Sequence, residues 1–147
     1  MASTYLSLYV HVVFATRERA PTIRKEWMND LHAYTGGTAR ALGVTPLEIG
    51  GVADHVHLLL GLKATHTVSD VVREIKRASS VWVSREKNRG FSWQAGYGAF
   101  SVSRWELDAL RTYIAGQEEH HHAVSSADEL RALLLEHGVE YEEKYFE

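Results

Sequence analysis

Apolar and polar residues alternate over "YLSLYVHVVF" (5–14), which predicts a strand with Leu6, Leu8, Val10 and Val12 on one face and Tyr5, Ser7, Tyr9 and His11 on the other. A helical period follows Pro21 over about 23–42, with Trp27, Leu31, Tyr34 and Leu42 on its apolar side. Its Gly36-Gly37 pair weakens that helix by roughly 1 kcal/mol per glycine relative to alanine. "TPLEIGGV" (45–52) and "HVHLLLGL" (55–62) read as two strands of a hairpin around Ala53-Asp54. Thr67 is placed to cap a helix running to about Lys87, with Val68, Val71, Val72, Ile75 and Trp82 inward. "GYGAFSVS" (96–103) supplies a fourth strand. Ser103-Arg-Trp-Glu106 fits a capping box that opens a helix to about His121, and Ser126-Ala-Asp-Glu129 fits a second, opening a helix that ends near Gly138.

The element order is β-α-β-β-α-β with added C-terminal helices. It predicts an α+β, ferredoxin-like fold, an antiparallel sheet with helices on one face and extra helices at the C-terminus. No repeat, low-complexity tract or linker divides the chain. Residues 1–147 therefore read as a single domain, with a core over about 5–122 and an acidic helix and tail over about 123–147. The fold class hosts many functions and selects none.

Composition removes some classes. At 147 residues with 45% hydrophobic and 24% charged residues, the chain is long enough and apolar enough to bury a core. It has no cysteine, so any metal ligands must be His, carboxylate or amide. No apolar run approaches the roughly 20 residues of a membrane span. The N-terminus is a poor signal peptide, because it lacks a basic start and His11 breaks its apolar run. The expected location is cytoplasmic, with no membrane partner. The net charge of −3 is unevenly spread: residues 1–117 carry 14 Lys/Arg against 10 Asp/Glu, and residues 118–147 carry 2 against 9. An acidic end thus masks a mildly basic body.

Two histidines, His55 and His57, interrupt the most apolar strand, and strand alternation puts both on one face with Val56, Leu58 and Leu60 opposite. Same-face imidazoles at i and i+2 can share one small ion. Taken alone they equally fit a polar structural pair. On the helix over 104–121, Tyr113 and Gln117 stand one turn apart beside the stripe of Leu107, Leu110 and Ile114. A half-buried packing tyrosine and a solvated glutamine are the plain alternatives. A histidine-triad hydrolase is excluded because Leu59 stands where a third alternating histidine is needed. No second His-x-Thr/Ser motif and no His-Glu-x-x-His motif is present. "EEHHH" (118–122) fits either a metal-binding tract or an exposed helix end where cationic His suits the dipole.

A basic face on the 67–87 helix, Arg73, Lys76 and Arg77 continued by Arg85, Lys87 and Arg89, can follow phosphates. Trp93, Tyr97 and Phe100 nearby can stack bases, or else belong to the core.

"GGVADHVHLLL", "VSDVVREIKRASS", "WQAGYGAFSVS" and "YIAGQEEHH" together resemble, in order and spacing, the single-tyrosine HUH transposases of small bacterial insertion sequences, including their repeat-associated relatives. The resemblance runs from about Tyr9 to Tyr145. It implies a metal-dependent nuclease and strand transferase acting on single-stranded DNA through a 5′-phosphotyrosine. The implied nucleophile is Tyr113, and the implied ligands of Mg²⁺ or Mn²⁺ are His55, His57 and Gln117. Arg73, Lys76, Arg77 and Arg85 of the basic helix face are the candidate contacts to such DNA. The implied partners are DNA hairpins and a second copy of the chain, in a homodimer whose tyrosine helix completes the other subunit's site. Gly116 stands where the family often has Asn, which loosens the helix at the catalytic turn.

Overall fold

A computed structural model describes residues 3–146, the last two by backbone alone. Met1, Ala2 and Glu147 of the expected domain, and the side chain of Tyr145 where the resemblance ends, lie outside the described residues. The elements are β1 (Tyr9–Ala15), α1 (Lys25–Ala41), β2 (Thr45–Val52), β3 (His55–Gly61), α2 (Val68–Glu86), β4 (Gly98–Val102), α3 (Leu107–Ala115), α4 (Gln117–His120) and α5 (Ser126–Glu136). The four strands form one antiparallel sheet in the order β2-β3-β1-β4, as the ferredoxin-like reading predicts.

β1 starts at Tyr9 rather than Tyr5, and the expected strand residues Tyr5, Leu6 and Leu8 remain exposed. Val12, Phe14, Val56, Leu58 and Leu60 face one side of the sheet. There they meet Trp27 and Leu31 of α1 and Val71, Val72 and Ile75 of α2. Tyr34 stays partly exposed but stacks on Trp82 at 5.2 Å, joining α1 to α2. The Thr67 hydroxyl caps α2 by accepting from the Asp70 amide.

The other face is also covered. Leu59 and Val102 meet Ile114 of α3, while Val13 and Phe100 meet Leu134 of α5. The helices of the βαββαβ unit therefore share one face, and the added C-terminal helices close the second. β3, central and covered on both sides, is buried along six of its seven residues.

Closure of α3 depends on Gly50. A Cβ there would stand 2.3 Å from the Ile114 carbonyl oxygen and 3.0 Å from its side chain. Gly50 pairs with His57, so α3 can approach over the histidine strand only because this side chain is missing. Gly50→Ala is expected to destabilise the protein by about 1–3 kcal/mol through overpacking. Urea unfolding checks this, and a midpoint equal to wild type would contradict it.

Candidate metal centre and nucleophile

Alternation along β1 and β3 places His11, His55 and His57 on the face covered by α3 to α5, and all three are buried. α3 ends at Ala115. Gly116 breaks the expected continuous helix with φ −93° and ψ 19°, and Gln117 opens the short α4. That break turns Gln117 inward, where it is 1% exposed, and carries His121 into the same pocket. Two of the expected site residues, Tyr113 and Gln117, thus meet the other two, His55 and His57, within one chain. Tyr113 stands edge-on to the His57 ring at 5.8 Å, and Gln117 Oε1 is 3.1 Å from His55 Nε2.

Two further residues join them. Glu129 is 3% exposed, and its Oε1 lies 2.7 Å from His57 Nε2, 3.1 Å from His55 Nε2 and 3.1 Å from His121 Nε2. Its Oε2 accepts hydrogen bonds from the Tyr113 hydroxyl and, at 3.1 Å, from the Gln117 amide. The second capping box expected at Ser126 therefore does not form. Ser125 is the cap, its hydroxyl accepting from the Asp128 amide, so Glu129 falls one residue too late to reach back. At that position it points to the sheet instead. Sequence reading missed Glu129 because Ser-x-x-Glu fits a cap so well. His121 belongs to the tract whose exposed-end reading the structure overturns for this residue.

The far sides of the rings are also held. His55 Nδ1–H donates to Asp54 Oδ1 at 2.7 Å, and Asp54 Oδ2 accepts from Ser126 Oγ at 3.0 Å. His121 Nδ1–H donates to the Val124 carbonyl. His57 Nδ1 lies 2.7 Å from His11 Nε2. Strand alternation puts His11 on one face with Tyr9, but nothing in the sequence marks it as part of the site.

Charge follows from these contacts. Burial works against a charged His55, but Asp54 and Glu129 outweigh it and lift its pKa to about 9. Burial, reinforced by His57, drives His11 down to about 3, and burial keeps His57 below the usual histidine range. Burial would raise Glu129, yet its hydrogen bonds from His55 and His57 hold it well below the carboxylate range. Burial and then the Glu129 charge push the Tyr113 phenol above its ordinary value.

Two opposite pH effects on metal-free stability follow. The His55 contribution is complete below pH 6.5 and is lost as pH rises through about 9, because the folded state binds the proton more tightly. The His11 contribution is complete above pH 6.5 and fades as pH falls towards 3, because only the unfolded chain is protonated there. Chelated protein should therefore have its highest urea midpoint near pH 6.5. A midpoint that climbs steadily from pH 6.5 to 9 would contradict the His55 environment.

The donor set suits a divalent cation. His121 Nε2 lies 2.9 Å from Gln117 Oε1 and 3.1 Å from Glu129 Oε1, the point on which the Nε2 atoms of His55 and His57 also converge. One nitrogen or oxygen atom from each of His55, His57, His121 and Glu129 lies within 4.8 Å of all the others.

The other expected contacts fall elsewhere. α2 covers the opposite face of the sheet, so Arg73, Lys76, Arg77 and Arg85 do not reach this cluster. Arg73 pairs with Asp70 at 3.0 Å and Arg77 with Glu74 at 2.9 Å, both on the surface, and Arg85 is exposed. Lys76 donates to the carbonyls of Gln94 and Gly96, fastening the approach to β4. Trp93 packs edge-on against Phe14 and Phe91 and donates to Ser79, and Phe100 is buried, so neither is free to stack a base. Tyr97 is partly exposed and lines a cleft of about 450 Å³ with Arg19, His55 and Gln94. A second cleft, of about 460 Å³, opens beside Tyr113, His11 and Glu129.

The family profile described as "Transposase IS200 like" matches residues 4–117, most of the chain including His55, His57, Tyr113 and Gln117. The chain belongs to this family of DNA-processing enzymes. Among solved structures it is similar to a candidate transposase from Deinococcus radiodurans R1, with 24% identity over 78% of this chain and 94% of that one and a TM-score of 0.65. It is also similar to a REP-associated tyrosine transposase bound to a REP hairpin, with 16% identity over 84% of this chain and 76% of that one and a TM-score of 0.61. No curated protein matches the sequence. No described helix is long and apolar enough to cross a membrane.

Proposed function

We propose that this transposase cleaves and rejoins single-stranded DNA through a covalent 5′-phosphotyrosine on Tyr113, with His55, His57 and Gln117 holding a divalent cation. The observation that supports it best is the convergence of a buried His pair, an amide and a tyrosine hydroxyl in one pocket. A bound cation would polarise the scissile phosphate as a Lewis acid.

The chain's own residues do the rest. Asp54 and His11 fix the outer nitrogens of His55 and His57, so each ring keeps Nε2 turned to the pocket. Glu129 holds the Tyr113 hydroxyl at the pocket edge. The phenol gives up its proton to water as its oxygen attacks phosphorus, and the bond to the 3′-oxygen breaks with its electron pair, leaving a 3′-hydroxyl once protonated from water. Attack by another 3′-hydroxyl on the phosphotyrosine reverses the step onto a new strand. The clefts beside Tyr113 and beside His55 flank the pocket and offer room for the nucleotides on either side of the scissile bond.

The substrate we propose is a single strand bearing a hairpin, the ligand class of the REP-associated neighbour. Arg73, Arg77 and Arg85, on the surface of α2, are the proposed contacts to its phosphates, with Lys76 shaping the adjoining loop. The resemblance implies a homodimer with shared sites. Within one chain α3 and α4 already reach their own sheet, which favours a site complete in one subunit. Mixing Tyr113→Phe with His57→Ala protein separates the two arrangements, since only shared sites regain activity.

The test of the main reading is incubation with a hairpin-bearing oligonucleotide and Mn²⁺ or Mg²⁺, followed by denaturing electrophoresis. A metal-dependent protein–DNA adduct is expected. Binding that is indifferent to chelator, with no adduct, would instead identify a module that binds single strands without cutting them. A family member confined to chromosomal repeats would cut their hairpins but join no element ends.

A further inference from the structure

We propose that His121 and Glu129 join His55, His57 and Gln117 as ligands of the same cation, so that the centre, with three imidazoles, takes Mn²⁺ in preference to Mg²⁺. The inference rests on the cation site at His55 and His57 and extends it into the segment that follows the family-matched residues 4–117.

Ligand atoms that share one small divalent cation, at metal–ligand bonds of about 2.0–2.2 Å, stand roughly 3 Å apart. The three Nε2 atoms lie 2.7, 3.1 and 3.1 Å from Glu129 Oε1, so a small outward movement of the carboxylate admits an ion without refolding the pocket. His121 is prepared as His55 is. Its Nδ1–H is engaged by the Val124 carbonyl, which aims the other nitrogen inward.

Glu129 has a second role in this arrangement. With Oε1 on the cation, Oε2 still accepts from Tyr113 and Gln117, so one carboxylate ties the metal to the nucleophile. It also neutralises half of the ion's charge in a pocket where Glu129 is only 3% exposed. Mg²⁺ keeps oxygen ligands and several waters, whereas nitrogen ligands suit first-row transition metals, so three imidazoles work against Mg²⁺ relative to Mn²⁺.

The test is Mn²⁺ binding to the full-length, metal-free protein, followed by the electron paramagnetic resonance of the free ion. His121→Ala and Glu129→Gln should each weaken binding at least tenfold, as should His55→Ala, and a hundredfold excess of Mg²⁺ should displace little Mn²⁺ from wild type. If His55→Ala weakens binding while both other variants stay within twofold of wild type, the added ligands are refuted and the proposed function stands. If none of the three weakens binding, the whole cation site is refuted. Pulsed resonance of Mn²⁺ in the wild-type protein gives a result independent of variant folding. Nitrogen couplings from three histidine rings are expected, and couplings from only two would overturn the place of His121.

Discussion

Tyr113→Phe yields no covalent protein–DNA adduct, while the protein folds and binds the hairpin strand as before. The substitution removes one oxygen and leaves the ring, which packs edge-on to His57 at 5.8 Å and to His120 at 5.2 Å. Glu129 Oε2 loses the phenol but keeps the Gln117 amide at 3.1 Å, so the buried carboxylate is not left bare. The stability cost should therefore be about 1 kcal/mol, the usual net worth of one hydrogen bond. Loss of adduct below detection combined with a nearly unchanged unfolding midpoint locates the defect in the chemistry. An adduct formed at even a few per cent of the wild-type level would mean that another group attacks.

His57→Ala removes both activity and part of the stability. The ring touches three functional groups: His11 at Nδ1, Glu129 at Nε2 and Tyr113 at its edge. Its loss opens a cavity beneath α3 and leaves the buried His11 Nε2 without its partner, a combination expected to cost about 2–4 kcal/mol. Adduct formation should fall at least a hundredfold at saturating Mn²⁺, because one of the inward nitrogens is missing. Affinity for the hairpin strand, measured by fluorescence anisotropy in chelator, should change less than threefold, since the surface arginines of α2 are untouched. Adduct formation within tenfold of wild type would remove His57 from the reaction.

Much of this architecture is written locally in the sequence. Strand alternation suffices to place His55 and His57 on one face, and Thr67 and Ser103 cap where their spacing predicts. Tyr113 and Gln117 are expected on one continuous helical turn, but Gly116 breaks the helix between them, and the pair meets the histidines across that break. What escaped is tertiary. Glu129 carries a pattern that fits a cap, and only the packing of α5 on Val13 and Phe100 turns it inward. The tract at 118–122 lies beyond the break at Gly116 and so does not continue the period of α3, and His121 faces the sheet rather than solvent. Trp93 and Phe100 show the converse case. Aromatic residues beside a basic helix suit base stacking by composition, yet the sheet needs them as core.

The central claim is that the Tyr113 oxygen becomes bonded to DNA in a cation-dependent step. It is tested most directly by digesting the adduct with trypsin and nuclease and locating the nucleotide by mass spectrometry. A nucleotide phosphate on the peptide containing Tyr113, absent when chelator replaces Mn²⁺, is the predicted result. A nucleotide on any other tyrosine, such as Tyr97 beside the His55 cleft, or no nucleotide at all in the presence of Mn²⁺, would contradict it.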